Sequence, residues 1–330
     1  MARPSDDGTS GFGGTAGLRL SVLSERDLDD IHAATLDVLE RTGVFVEDDD
    51  ALDLFGDGGC AVDRDTRTVR MPPQAVEDAI RSCPPSVLLC GRDPARDVVL
   101  EAGRVSFSNF DEGIMLVDVR TGEYRRPGIA DVREVARLVD ALDCIDAYES
   151  AVGAEDVPAD TASLHKWEAA IHETTKPVGS EATTARDVRG IVAMATVLAG
   201  GEDELRRRPL AGFGVCPVSP LQLPRDATEV VIEAARSGMS DTIVSMAMAG
   251  GSSPVTLAGT LVTHNAEVLS AVVLAQLAER GSPVVYGSST TAMDLRLATA
   301  AVGSPELGVI SAAVAQLARR YGIPSFVAGL

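Results

Sequence analysis

The chain has 330 residues, 45% of them apolar, and a formal net charge of −20 at pH 7. That length allows one large βα domain with a small appendage, or two ordinary domains. The acidic excess excludes a nucleic-acid backbone as partner, which needs a basic stripe, and no apolar run is read as long enough to span a bilayer.

Met1–Gly17 carries no hydrophobic segment, so no secretory signal is expected and the cytoplasm is the expected location. This stretch is rich in Gly, Ser, Asp and Thr, and residues 1–20 read as a disordered tail. Ser24-Glu25-Arg26-Asp27 has the form of a capping box. Leu28, Ile31, Leu36 and Leu39 then recur at helical spacing up to Gly43. Further helices are predicted over Asp49–Asp57 and Pro73–Ser82, which makes residues 21–86 a helical subdomain. Between Val87 and Arg126 short β-like runs alternate with turn signals, so residues 87–128 are predicted to form a small antiparallel ribbon.

From residue 129 to 330 helix and strand alternate. Strands are predicted over Ile145–Ser150, Pro177–Ser180, Leu210–Val215, Thr242–Met248, Val284–Tyr286 and Ser325–Ala328. Helices over Asp131–Leu142, Thr161–Thr174, Ala185–Ala199, Arg225–Ser237 and about Val255–Arg280 separate them. A last helix opens at Ser304-Pro305-Glu306, with Ser as N-cap and Pro in the first turn. Parallel strands joined by helices mean an α/β fold. The count, about six strands, suits an open sheet and also falls two short of an eight-stranded TIM-type barrel. Neither GxGxxG after an early strand nor GxxxxGK[ST] is present, so the open nucleotide-binding reading lacks its chemistry.

The candidate residues cluster after predicted strands. Glu181 follows Pro177–Ser180 and suits a general acid, a cation binder or a cap of the next helix. Cys216 lies in a loop stiffened by Pro217 and Pro220, where a shape role outweighs a nucleophilic one. Met246 and Met248 end a strand just before Gly250-Gly251, which lets a backbone approach something closely. His264, Asn265 and Glu267 are polar groups on an apolar helix, so they form an internal network or a site wall. Asp294 and Arg296 follow the Tyr286–Ser289 loop and permit an ion pair or a charged substrate. Glu306 is explained by the helix dipole alone. His165, Glu168 and His172 share a helix face, but one helix rarely supplies three metal ligands, so a polar stripe is preferred and no metal is expected. The five cysteines form no CxxC pair and read as reduced thiols.

Several stretches together resemble the trimethylamine methyltransferase family of corrinoid-dependent enzymes. They are Leu23–Asp48, Leu89–Leu100, His165–Val178, Gly214–Leu221, Met248–Leu277, the PVVYGSS segment and the region from Gly303 to Gly329. The resemblance implies a βα barrel, incomplete in these residues, whose mouth meets a cognate corrinoid protein. It implies transfer of a methyl group from trimethylamine or a related small methylated amine to cob(I)alamin held by that partner, with no cofactor bound directly. It further implies a homo-oligomer at full length, and a pyrrolysine encoded by an in-frame UAG after Leu330. The codon after Leu330 tests that expectation.

On this resemblance Glu181 and Asp294 are the expected catalytic residues. Tyr286, Met246, Met248, Ser288, Arg296 and Cys216 are expected to contact substrate, with His264, Asn265 and Glu267 supporting them from behind. Aromatic and carboxylate groups suit a cation, and Arg296 suits the carboxylate of a betaine. A glycine betaine-type enzyme without pyrrolysine, a non-catalytic module that binds the corrinoid protein, and an open α/β enzyme acting on a small polar substrate are the alternatives.

Overall fold

The computed structural model describes residues 21–328 apart from Asp111. The tail expected over residues 1–20 lies outside the described residues. Helix α1 (Glu25–Asp37) starts at the capping box read from the sequence. The Asp27 N–H donates to the Ser24 hydroxyl at 3.2 Å, and the Ser24 N–H donates to Asp27 Oδ2 at 2.8 Å. These bonds satisfy donors that a helix N-terminus otherwise leaves orphaned. A π turn, Val38–Thr42, closes at Gly43, where a φ of 79° favours glycine.

Helices α2 (Asp49–Asp57) and α3 (Pro73–Ser82) follow. The segment expected to be helical also holds a small antiparallel sheet, in which Thr68–Arg70 lies between Val44–Val46 and Ala61–Asp63. Each of these strands has 3 residues, too few to display a period of two in the sequence. The expected ribbon exists as Ser86–Leu89 with Val98–Glu101, and Leu116–Val117 with Tyr124–Arg125. The run Arg104–Phe107 is not a strand.

Next come α4 (Ile129–Ala141), α5 (Ala162–Glu173), β1 (Gly179–Ser180), α6 (Ala185–Ala199), α7 (Glu202–Arg207) and β2 (Gly212–Val215). Then follow α8 (Arg225–Ser237), β3 (Ser240–Ser245), α9 (Leu257–Ala278), β4 (Val284–Ser288), α10 (Pro305–Tyr321) and β5 (Ser325–Val327). The first expected strand of the series, Ile145–Ser150, is reduced to single parallel bridges from Ala147 to Ser108 and from Tyr148 to Val178.

The chain divides into two compact units. Among the described residues, one comprises residues 88–181 and 189–212, the other residues 21–87, 182–188 and 213–328. In the second unit β2, β3, β4 and β5 lie side by side in chain order. The β3–β4 and β4–β5 pairs are parallel, with Ile243 beside Tyr286 and Gly287 beside Phe326. A doubly wound sheet reverses its strand order at a switch point; these strands do not.

Helix α9 packs against β3, β4, α1, α3 and α8 and is the core of this unit. Its side chains from His264 to Ala275 are all buried. By length and composition α9 could cross a bilayer, which corrects the expectation that no apolar run is long enough. Burial inside the unit explains its all-round apolar character, as for the core helix of a large fold.

Candidate functional site

In the first unit, β1 ends at Ser180 and Glu181 follows directly. Lys166, on α5, reaches Glu112 Oε1 at 2.7 Å and Glu181 Oε2 at 3.3 Å. A third carboxylate, Glu149, lies over Gly179: a Cβ there would stand 1.9 Å from Glu149 Oε2. Gly179 leaves room for that carboxylate, the far end of a side chain that a larger residue would have to push aside. Tyr148 is buried beside these groups, and its hydroxyl is pushed up to about 12, by burial first and then by the charges of Glu149, Glu112 and Glu181. Burial disfavours the charge of Lys166, but hydrogen bonding to Glu112 and the field of Glu181 outweigh it and raise the ammonium pKa. Burial raises Glu112 in turn, and bonding to Glu181 and Lys166 overrides it and holds the carboxyl below its usual range. Glu112, Glu149 and Glu181 thus bring three carboxyl groups together near Lys166 after β1, an environment that suits a cation.

In the second unit the strand-end loops hang on one polar stripe of α9. Thr260, His264 and Glu267 are spaced i, i+4 and i+7, so they share a face. The Thr260 hydroxyl donates to the Pro254 carbonyl at 2.8 Å and lies 3.0 Å from Ser253 Oγ. His264 Nδ1 is 3.0 Å from Thr290 Oγ1, whose proton goes to the Ser245 carbonyl at 3.2 Å. Nδ1 is accordingly the protonated nitrogen and Nε2 carries a lone pair, with no partner among the described residues. Burial lowers the imidazole pKa to about 3, so it is neutral at physiological pH.

Glu267 accepts from Ser219 Oγ at 2.9 Å, Ser245 Oγ at 2.6 Å and the Leu221 N–H at 3.1 Å. Burial raises its pKa and these three bonds oppose the rise without cancelling it. Leu221 sits at φ 57°, a left-handed conformation that costs a leucine about 1–2 kcal/mol. Glu267 thus fastens the loop after β2 and the end of β3 to the same helix.

Tyr286 corrects the sequence reading most clearly. It was expected to contact substrate, but its ring is wholly buried against α9 and its hydroxyl donates to Asn265 Oδ1 at 2.6 Å. Asn265 in turn donates to Thr35 Oγ1 at 2.9 Å and to the Tyr321 hydroxyl at 2.8 Å. Tyr286 and Asn265 therefore belong to a core network that joins α1, α9, β4 and α10. Ser288 is also buried, and its Oγ accepts the Thr290 N–H at 3.2 Å. Among the described residues Asp294 and Arg296 form no ion pair with each other; Asp294 Oδ1 instead accepts the N–H groups of Arg296 at 2.8 Å and Leu297 at 3.1 Å. That Asx turn orders the loop and leaves Arg296 exposed.

Met246 is 51% exposed, Met248 is half-buried beyond β3 where its strand pairs with Thr291–Asp294, and Cys216 is exposed after β2. Glu168 pairs with Arg133 at 2.9 Å and lies 3.4 Å from His172, so the expected polar stripe on α5 is an ion-pair surface. Glu112, Glu149 and Lys166 were not singled out from the sequence. One signal was available: Lys166 and Lys176 are the only lysines in a chain that otherwise uses Arg. Lys176 is buried and donates to the carbonyls of Val139 at 2.6 Å and Leu142 at 2.7 Å, which caps the end of α4.

These features define a parallel α/β domain built from βα repeats, with polar and titratable side chains gathered beyond the carboxyl ends of its strands, where such folds carry their sites. Comparison with known proteins makes the class specific. Residues 16–330 match the trimethylamine methyltransferase (MTTB) family, and the chain belongs to that family. Trimethylamine methyltransferase MttB of Desulfitobacterium hafniense is 46% identical over 329 residues, 100% of this chain and 66% of that protein. The MttB protein of Methanosarcina thermophila is 42% identical over 97% of this chain and 67% of its own length. Glycine betaine methyltransferase of D. hafniense is 29% identical over 93% of this chain and 64% of its own. The chain thus spans about two thirds of the length of the curated relatives it matches. Among solved structures, monomethylamine methyltransferase of Methanosarcina barkeri shares the fold with a TM-score of 0.54 at 16% identity, over 91% of this chain and 66% of that one.

Proposed function

We propose that this chain is part of a methyltransferase that takes a methyl group from trimethylamine, or a close relative of it, and passes it to the corrinoid of a partner protein. The observation that carries the reading is the 46% identity over the whole chain to a trimethylamine methyltransferase, against 29% to a glycine betaine methyltransferase. The parallel strands in unreversed order support a βα barrel as the scaffold, completed outside the described residues.

Glu181 is proposed as the residue that holds the ammonium form of the amine, with Glu112 and Glu149 adding charge. A protonated or quaternary nitrogen leaves as a neutral amine when it loses a methyl group, so a carboxylate that favours the cation favours the reactive form. Lys166 bonds both Glu112 and Glu181, fixes them in place and helps to keep Glu112 ionised. The corrinoid, held by the partner, supplies the cobalt nucleophile that accepts the methyl group. The residues of this chain bind and aim the donor, so positioning is their main contribution. Asp294, Met246, Met248, Cys216 and Arg296 line the loops after β2, β3 and β4 and are proposed to shape the approach to the donor. A pyrrolysine beyond Leu330 belongs to the same proposal, and the codon after Leu330 tests it.

The test is methyl transfer from trimethylamine, glycine betaine and dimethylamine to cob(I)alamin on a corrinoid protein, followed by the loss of the cob(I)alamin absorbance. Trimethylamine is expected to support transfer, and Glu181→Gln to lower kcat/KM at least 100-fold, about 3 kcal/mol of transition-state stabilisation. Transfer from betaine alone would move the assignment to the other branch of the family. Binding of the corrinoid protein without any turnover would establish the non-catalytic reading.

A further inference from the structure

A separate cleft of about 330 Å³ opens in the first unit, lined by Arg92, Leu198, Ala199, Glu204, Arg208 and Leu210. Leu198, Ala199, Glu204, Arg208 and Leu210 come before β2 rather than after it. Arg92 reaches the carboxyl end of α5, which precedes β1, and Arg208 shortly precedes β2. The cleft therefore lies away from Glu181 and its neighbours, which follow β1.

The donors in this cleft are only partly engaged. Arg92 Nε donates to the Thr174 carbonyl at 2.9 Å and Nη2 to the His172 carbonyl at 3.1 Å. Both acceptors are carbonyls at the end of α5, and no carboxylate pairs with Arg92 among the described residues. Its Nη1 group has no protein acceptor there either. Arg208 gives Nε and Nη2 to Asp97 and Nη2 also to the Gly91 carbonyl at 3.1 Å. The Cys90 thiol also lies beside this guanidinium, and no oxygen acceptor bonds its Nη1 among the described residues. Asp97 offsets Arg208, and Glu204 is drawn into an ion pair with Arg207. One positive charge, that of Arg92, is left over, and the remaining wall is aliphatic: Leu198, Ala199 and Leu210.

We infer that this cleft binds a small organic anion, a carboxylate or phosphate ester with a short aliphatic body, between the Nη1 groups of Arg92 and Arg208. A planar guanidinium offers paired N–H groups that match the two oxygens of such an anion. The volume stands at the small end of ligand sites and has room for roughly ten non-hydrogen atoms. The aliphatic wall takes the body of the ligand, and the uncompensated guanidinium takes its charge. The inference stands independently of the proposed methyl transfer.

Calorimetric titration of the purified protein with butyrate, inorganic phosphate and butyramide tests it. Butyrate or phosphate is expected to bind and butyramide, the neutral isostere, is not. Binding of butyrate alone identifies a carboxylate ligand, and binding of phosphate alone identifies a phosphate ester. Arg92→Gln should weaken binding at least tenfold. Because Arg92 also caps α5, Arg92→Lys serves beside it: the charge stays, the fork is lost, and binding should weaken about threefold with an unchanged circular dichroism spectrum. Glu204→Gln should tighten binding about threefold by removing a like charge. Binding of butyramide as tight as butyrate, binding of neither anion, or anion binding unchanged in folded Arg92→Lys and Glu204→Gln would overturn the inference.

Discussion

Asp241 opens β3 with both carboxylate oxygens buried and without a partner among the described residues. Only 2% of its surface is exposed, and burial raises its pKa from 3.8 to about 8. The sign follows from proton linkage. Between those two values the folded protein keeps a proton that the unfolded chain releases, so rising pH favours unfolding. Each pH unit in that window removes roughly 1 kcal/mol of stability, and the whole shift amounts to something on the order of 5 kcal/mol. Relaxation and water entry around the group make that sum a ceiling. Asp241→Asn keeps the shape and removes the titration. Urea unfolding of both proteins at pH 5, 6, 7 and 8 provides the assay, and groups common to both cancel in the difference. The variant should gain on the parent by roughly 1 kcal/mol per pH unit. Stability curves that stay parallel from pH 5 to 8 would refute the assignment of a buried, unpaired carboxyl at this position.

Two glycines separate rigid from yielding neighbours. A Cβ at Gly91 would stand 2.2 Å from the Thr175 carbonyl oxygen, whereas one at Gly58 would meet Leu277 Cδ2 at 2.4 Å, the end of a side chain that can rotate. Gly91→Ala should therefore cost about 2–3 kcal/mol in urea unfolding and Gly58→Ala under about 1 kcal/mol, and equal losses would contradict the reasoning. Tyr286→Phe removes the donor to Asn265 Oδ1. It should destabilise by about 1–3 kcal/mol through the acceptor left unpaired, and a loss inside measurement error would show that the network is not closed as described.

Local signals in the sequence placed the helices well. Pro73–Ser82, Ala185–Ala199 and Arg225–Ser237 have the expected bounds, because proline and glycine stops and a 3.6-residue period act over a few neighbours. The family was legible too, since many separate stretches carry it. The three-residue strands between Val44 and Arg70 were not, for want of a full period. Tyr286 shows a deeper limit. Every residue of β4 is buried, so alternation cannot say which side chains face α9 and which face away from it. Only the register with Ile243 and the reach to Asn265 settle its place.

The amino-acid order by itself determined where most helices begin and that His264, Asn265 and Glu267 interrupt the otherwise apolar α9. Tertiary structure alone decided what those groups touch. Lys166 meets Glu112 across 54 positions of chain, and Asn265 meets Thr35 across 230. Periodicity is encoded between near neighbours, while the partner of a buried charge or amide depends on how distant elements pack. That packing makes Glu181 one member of a charged cluster and takes Tyr286 out of reach of solvent.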